Sequence, residues 1–168
     1  MRNIRTKDLV MIALLIGLNI VLSRLVPVIN AWNMKISLTF VTLLLAGYLY
    51  GPVGGMLVGG LGDLIGSLLF PIGAYNPLFT LTAVISGLIF GIFHYNNTKL
   101  INTVLACVIN QIGCSLLLNT WFISIVYNAS FKALLSTRVI QAVVMLVIEF
   151  IIIRMIEPLF PHLKGMLK

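Results

Sequence analysis

The sequence predicts an all-α integral membrane protein, a compact bundle of six transmembrane helices with both termini on the cytoplasmic side. Three observations carry that expectation. Of the 168 residues, 60% are hydrophobic and 9% charged, with a mean hydropathy of +1.12, far outside the range of soluble domains. Turn residues and charges divide the chain into six apolar segments, most of them near the roughly 20 residues that a helix needs to span a bilayer. Lysines and arginines flank both ends of the chain, the pattern of cytoplasmic flanks. Almost nothing remains for a soluble domain, so residues 1–168 are expected to form a single transmembrane domain.

The first segment, 8–26, follows Arg2, Arg5 and Lys7 and stops at Pro27. Its charge-then-apolar order is that of a signal peptide, but no small-residue cleavage site is present and more apolar segments follow, so it is read as a helix. The second, 34–50, ends at Gly51-Pro52. The third, 53–70, reads VGGMLVGGLGDLIGSLLF, in which Gly55 with Gly59 and Gly62 with Gly66 form two small-xxx-small pairs. Such pairs let helix backbones approach closely in lipid, where the hydrophobic effect between helices is absent. A turn from Pro71 to Pro77 leads to the fourth segment, 77–94, and Asn96-Asn97 separates that from the fifth, 100–120. The polar and aromatic stretch from Asn119 to Ser136 is read as a long outer loop, and the sixth segment, 137–157, stops at Glu157-Pro158 and Pro161. The connections after the first, third and fifth helices then face outward.

Polar residues inside this apolar chain need reasons. Arg24, Lys35, Lys132 and Arg138 fall at outer helix ends or loops, where basic residues are scarce. Snorkelling to headgroups explains the lysines as well as any other role does. The two arginines are placed at one depth, which points to a shared role. Guanidinium groups stay charged and grip carboxylates with two hydrogen bonds, so an anionic ligand entering from outside would satisfy them. Asp63 lies about 10 Å into the membrane, counting back from Phe70 at the rise of a helix. It is expected in a structural ion pair with Arg24 or Arg138.

The turn FPIGAYNP places irregular backbone at the outer face, which is tolerated where it lines a cavity in protein. There Tyr75 offers an aromatic face and Asn76 a two-way hydrogen-bonding amide, both suited to a flat heterocycle. Gln111, Ser115 and Asn119 recur at intervals of four and share one helix face, with Asn110 off that stripe. Interhelical hydrogen bonds explain these amides as well as ligand contacts do. Trp121 either stacks on a ligand ring or joins the interfacial aromatic belt, and Phe122 is assigned to the belt.

Several functions are excluded. Cys107 and Cys114 match no metal or redox spacing and read as buried thiols. His94, His162, Glu149 and Glu157 lie towards the inner side, Glu149 being assigned to a pair with Arg154 or with a neighbouring helix. No cluster of these residue types has metal-binding spacing, so neither metal nor cofactor is expected. The residues for acid–base or nucleophilic chemistry do not assemble, and an enzyme is not expected. No GxxxxGK[ST] phosphate loop occurs, so energy from ATP would have to come through a partner. The formal charge of +7 is scattered over membrane ends, where lipid headgroups account for it, and does not form a nucleic-acid-binding face.

The runs LNIVLSR, KISLTFVTLLLAGYLYGPVGG and GDLIGSLLFPIGAYNPLFTLTAVISGLIFGIF, between Gly17 and Phe93, resemble the substrate-binding S components of energy-coupling factor (ECF) vitamin transporters, especially their folate-specific branch. Beyond Lys99 the likeness lies in helix count and in the placement of Arg138. Leu78 departs from the family pattern, which has glycine after the last proline of the turn. The resemblance implies a multi-pass subunit of the bacterial plasma membrane that captures a vitamin from outside. It further implies partners, a transmembrane coupling protein and two ATPases, which drive the subunit to topple in the bilayer and release the vitamin inside. Ala13 and Gly17 match the small-residue pair of the family's coupling surface. Folate joins a flat pterin to an aromatic ring and a glutamate. Its carboxylates are expected first at Arg24, then at Arg138 and Lys35, and its pterin at Asn76, Gln111, Ser115 and Asn119. Loop five, with Tyr127, Asn128 and Phe131, is expected to serve as a lid. Two other readings stay open: the same fold with pantothenate, riboflavin or thiamine, and a membrane scaffold whose interior polar residues only pin helices.

Overall fold

The computed structural model describes residues 6–25, 30–31, 34–35, 37–71, 75–128, 130–160, 163 and 165, which are helical almost throughout. Helix α1 (Thr6–Ile20) continues into a wider π turn, Val21–Leu25. Two short strands, β1 (Asn30–Ala31) and β2 (Met34–Lys35), pair antiparallel. Then come α2 (Thr39–Leu69) and α3 (Pro77–His94). A continuous rod follows, made of α4 (Leu100–Val108), a π-helical stretch (Ile109–Leu118) and α5 (Asn119–Tyr127). Helix α6 (Phe131–Ile156) ends in a 3-10 turn, Glu157–Leu159. Among the described residues, five helices are long and apolar enough to cross a membrane.

The expected second and third helices are both present within α2, which doubles back on itself at a kink. An unbroken helix would separate Leu43 from Gly59 by about 24 Å. Instead, Leu43 Cδ2 lies 3.1 Å from the position a Cβ on Gly59 would take. The reversal is at Gly51, whose φ of +73° and ψ of −163° glycine adopts without steric cost, and it is fixed by Pro52, which has no amide hydrogen to continue the ladder. Residues 39–50 and 52–69 are therefore two antiparallel arms. The first arm starts at Thr39 and not near 34, because Met34–Lys35 is paired in the strand ladder.

Glycines set how the arms pack. A Cβ on Gly47 would come within 2.8 Å of the Gly91 backbone, and one on Gly55 or Gly59 would overlap the backbone of Gly87 or Ala83. The arms of α2 thus lie backbone to backbone against α3. Gly62 and Gly66 serve a different neighbour: a Cβ on Gly62 would sit 2.6 Å from Asn19 Oδ1, and one on Gly66 would meet Arg24 and Ile20. Asn19, buried on α1, donates through Nδ2 to Thr42 Oγ1 at 2.6 Å and ties α1 to the first arm. The two small-xxx-small pairs therefore hold two different helices.

The long fifth loop is not there. Residues 100–127 are one rod, α6 begins at Phe131, and the connection is residues 128–130, with Asn128 in the left-handed region (φ 50°) that ends helices. The polar residues expected in a loop are satisfied within α6. Ser136 Oγ donates to Ala133 O at 2.9 Å and Thr137 Oγ1 to Leu134 O at 3.0 Å, the back-bonding that lets hydroxyls sit inside a helix. A lid drawn from residues 121–136 is replaced by helix ends.

At the opposite end of the bundle from Arg24 and Asn76, Glu157 gathers Arg154 Nη1 (2.6 Å), Thr103 Oγ1 (2.5 Å) and the buried His94, whose Nε2 is 3.8 Å away. Arg154 is thus the partner of Glu157 and not of Glu149. Tyr48 stacks on Phe160 at 4.5 Å beside this knot and closes the core there. Cys107 and Cys114 are both buried free thiols.

Candidate ligand-binding cavity

The helices enclose a cavity of about 500 Å³ between the end of α1, both arms of α2, the start of α3, the rod and α6. Of the residues singled out from sequence, Arg24, Asp63, Tyr75, Asn76, Gln111, Ser115, Asn119 and Arg138 line it. The lining is mixed: Phe40, Leu43, Phe79 and Met145 supply apolar surface between the polar groups. Such a mixture suits a ligand with flat apolar rings and a few fixed hydrogen-bonding points.

The two arginines differ. Arg24 Nη2 donates to Ser67 Oγ at 2.8 Å and stands 3.5 Å from Asp63 Oδ1, while Thr80 Oγ1 donates to Asp63 Oδ2 at 2.7 Å. Both Arg24 and Asp63 are largely buried, so the aspartate compensates a charge that would otherwise be costly. Arg138, half-buried on α6, has a buried Nη1 with no hydrogen-bond partner among the described residues. A guanidinium cannot shed its proton to escape that situation, so Arg138 Nη1 is a donor without an acceptor among the described residues, as is Arg24 Nε, although Arg24 is engaged through Nη2.

The turn after α2 has a structural role as well. Asn76 Oδ1 accepts from Leu78 N at 2.9 Å and caps α3, with Pro77 at the first helical position. Leu78 therefore sits in ordinary helix, where glycine is not required. The Asn76 oxygen is committed to this cap, and its amide nitrogen remains for the cavity. Tyr75 OH lies 3.3 Å from Thr80 Oγ1. Asn119 Oδ1 is 3.0 Å from Thr82 Oγ1, a contact between the rod and α3.

Sequence reasoning missed two lining residues. Asn110 was placed off the polar stripe, and Glu149 was assigned to Arg154 or a neighbouring helix without a place in the cavity; of those two partners the neighbouring helix is the one found. In the structure both line the cavity, Glu149 is fully buried, and Asn110 Nδ2 and Gln111 Nε2 each donate to one of its carboxylate oxygens at 2.9 Å. Stretches of π-helix are rare and concentrate at functional sites, and this one carries Asn110, Gln111 and Ser115. The signal for Glu149 was present: a carboxylate in the middle of the run VVMLVIEFIII is functional by default in a membrane helix.

Two other candidates fall elsewhere. Trp121 is 54% exposed on the outside of the bundle and does not line the cavity, whereas Phe122, assigned to the interfacial belt, is buried. Neighbours on a helix point about 100° apart, so their rings take different surroundings despite lying 5.4 Å from each other. The side chain of Lys35 lies outside the described residues, as does that of Tyr127. Ala13 and Gly17 are exposed on α1 among Leu9, Val10 and Leu14, and a Cβ on Gly17 would meet nothing within 4 Å. That small-residue pair is not used for packing among the described residues.

Comparison with known proteins follows the same lines. The family described as ECF transporter, substrate-specific component matches residues 7–157. The folate transporter FolT of Clostridium novyi (strain NT) is 32% identical over 146 residues, 86% of this chain and 84% of that protein. The folate transporter FolT of Leuconostoc mesenteroides subsp. mesenteroides is 32% identical over 154 residues, 86% of this chain and 80% of that protein. A crystal structure of FolT bound with folic acid superposes with a TM-score of 0.83 at 29% identity, covering 89% of this chain and 92% of that one.

Proposed function

Because the chain belongs to the family of ECF transporter substrate-specific components, we propose that it is the folate-binding membrane subunit of an ECF importer in the bacterial plasma membrane. The observation that carries the ligand assignment is the cavity itself, lined by amides, apolar side chains and Arg138, whose Nη1 has no acceptor among the described residues. Both FolT relatives and the likeness to the folic acid complex support the same vitamin. Arg138 takes a ligand carboxylate with charge-assisted hydrogen bonds, and Arg24, already held by Asp63 and Ser67, adds positive potential beside it. Tyr75, the Asn76 nitrogen, Gln111, Ser115 and Asn119 contact the rings. Lys35 is third among the carboxylate candidates, and Trp121, facing outward, is released from the binding set.

Counting the two arms of α2 separately gives six transmembrane segments, with both termini cytoplasmic as the basic flanks favour. The cavity end that carries Arg24, Asn76 and Arg138 then faces outside, where the vitamin is captured. The chain is a transporter subunit and not an enzyme: ATP hydrolysis belongs to two partner ATPases, coupled through a transmembrane protein. The subunit releases folate inside by toppling when driven. Its coupling surface is the exposed face of α1, where Ala13 and Gly17 allow a partner helix to approach closely.

Uptake tests this reading. Proteoliposomes holding the subunit with its coupling protein and ATPases should accumulate labelled folate only with ATP, and excess pantothenate or riboflavin should not compete. Changing Ala13→Leu and Gly17→Leu together should cut uptake at least about tenfold, since close helix contact in lipid depends on small residues, while folate binding by the isolated subunit stays at the parental level. Uptake at the parental rate in the double variant would remove α1 as the coupling surface.

A further inference from the structure

We infer that Thr80, which does not line the cavity, is a positioning residue for ligand binding: its hydroxyl holds the Asp63 carboxylate off Arg24 and so keeps that guanidinium open to a ligand carboxylate. This rests on the folate reading above and deepens it by naming what keeps the second arginine of the cavity available.

Asp63, on the second arm of α2, stands between a cation on α1's end and a hydroxyl on α3. Arginine–carboxylate pairs close to about 2.7–2.9 Å and are often bidentate. Here Arg24 Nη2 stands 3.5 Å from Oδ1, while Oδ2 takes the Thr80 hydroxyl at 2.7 Å. A carboxylate is rigid and planar, so a short bond to one oxygen fixes the place of the other. Thr80 therefore sets the distance between the two charges.

The directions of the surrounding bonds follow from the protons available. Each hydroxyl carries one. Ser67 gives its proton to the Asp63 carbonyl oxygen at 2.6 Å, so towards Arg24 it can only accept, and Nη2 donates to it at 2.8 Å. Thr80 gives its proton to the Asp63 carboxylate, so the Tyr75 hydroxyl, 3.3 Å away, must donate to Thr80. The chain from Tyr75 through Thr80 thus runs one way and ends on Asp63. A hydroxyl that accepts one bond donates the next more strongly, so Tyr75 reinforces the hold of Thr80.

Arg24 keeps donors that neither neighbour engages. A guanidinium has five N–H groups. Nη2 donates to Ser67, and Nε is buried with no acceptor among the described residues. Arg24 lines the cavity, and an anion arriving there meets a cation that Asp63 compensates without covering. Without the Thr80 hydroxyl, the carboxylate is free to swing onto Arg24 as a close pair. That arrangement favours the empty protein and disfavours the complex.

The test is titration of folate into the intact subunit in detergent, with thermal unfolding of the same samples, for Thr80→Val and Thr80→Ser. Thr80→Val should bind folate about tenfold more weakly, the scale of one hydrogen bond, and should unfold at a temperature no lower than the parent. Thr80→Ser keeps the hydroxyl and should match the parent in both. A structural role alone would lower stability and affinity together in Thr80→Val, and that result would overturn the inference. Parental affinity in Thr80→Val, or Thr80→Ser as weak as Thr80→Val, would also overturn it and leave the folate function standing. If Thr80→Val does not fold, Thr80→Ala takes its place with the same expected loss of affinity, and failure of both to fold would mark the hydroxyl as structural and overturn the inference. Failure of the parent to bind folate would overturn the function and the inference together.

Discussion

Replacing Arg138 by alanine lowers folate affinity about 30-fold or more and leaves the subunit as stable as the parent. Truncating one partner of a buried, hydrogen-bonded charge pair at a binding site costs about 2–5 kcal/mol, and 2 kcal/mol is about 30-fold in Kd at roughly 1.4 kcal/mol per tenfold. The stability half of the expectation follows from Nη1, which has no acceptor among the described residues, so no intramolecular bond of that group is lost. Arg24→Ala behaves in the opposite way. It removes the hydrogen bond to Ser67 and the cation beside Asp63, so its first effect is on stability and its effect on affinity is smaller. Titration of folate into both variants, with thermal unfolding of each in detergent, separates them. A Kd for Arg138→Ala within threefold of the parent would show that the ligand carboxylates lie elsewhere.

Changing Gly87→Ala destabilises the bundle by about 3 kcal/mol, the upper end for overpacking, whereas Gly17→Ala does not destabilise it. A Cβ on Gly87 would fall on the backbone of Gly55, and backbone cannot rotate aside as a side chain can, so α3 would have to move off α2. At Gly17 the new methyl meets nothing within 4 Å, and alanine is the better helix former by about 1 kcal/mol. One added carbon thus has opposite consequences at two helical glycines. Denaturation of the purified variants checks this, and Gly87→Ala unfolding together with the parent would contradict the α2–α3 contact.

The punctuation that organises this fold was visible in the sequence. Gly51-Pro52 reverses the chain, Pro77 starts α3 and Asn96-Asn97 follows its end, because these residues have backbone constraints that neighbours do not override. The extent of the last two helices was not visible. Serine, threonine and asparagine between 119 and 137 look like loop chemistry, but Ser136 and Thr137 satisfy their hydroxyls on the preceding turn of α6. The burial of Phe122 beside the exposed Trp121 also depends on which way the rod faces, and composition does not carry that.

Within the cavity, residue type was legible and pairing was not. Arg24 and Asp63 were identified as charges needing compensation, and the structure brings them to 3.5 Å. The α-helical stripe of Gln111, Ser115 and Asn119 left out Asn110, which the π-helical stretch brings onto Glu149 along with Gln111. Glu149 was assigned to the inner side, and eighteen residues after Phe131 in a helix of 26 it does lie nearer the end of α6 that carries Arg154. Arg154 was offered to it at a spacing of five, but the guanidinium reaches Glu157 at a spacing of three, where side chains of one helix face meet.

The most direct test of the central claim is calorimetric titration of folate into the purified subunit alone, beside pantothenate and riboflavin. The cavity and the unmatched arginine donors that line it predict saturable binding of folate at one site, with no binding of either control. A folded, monodisperse sample that gives no folate binding, or that binds a control vitamin in its place, would contradict it.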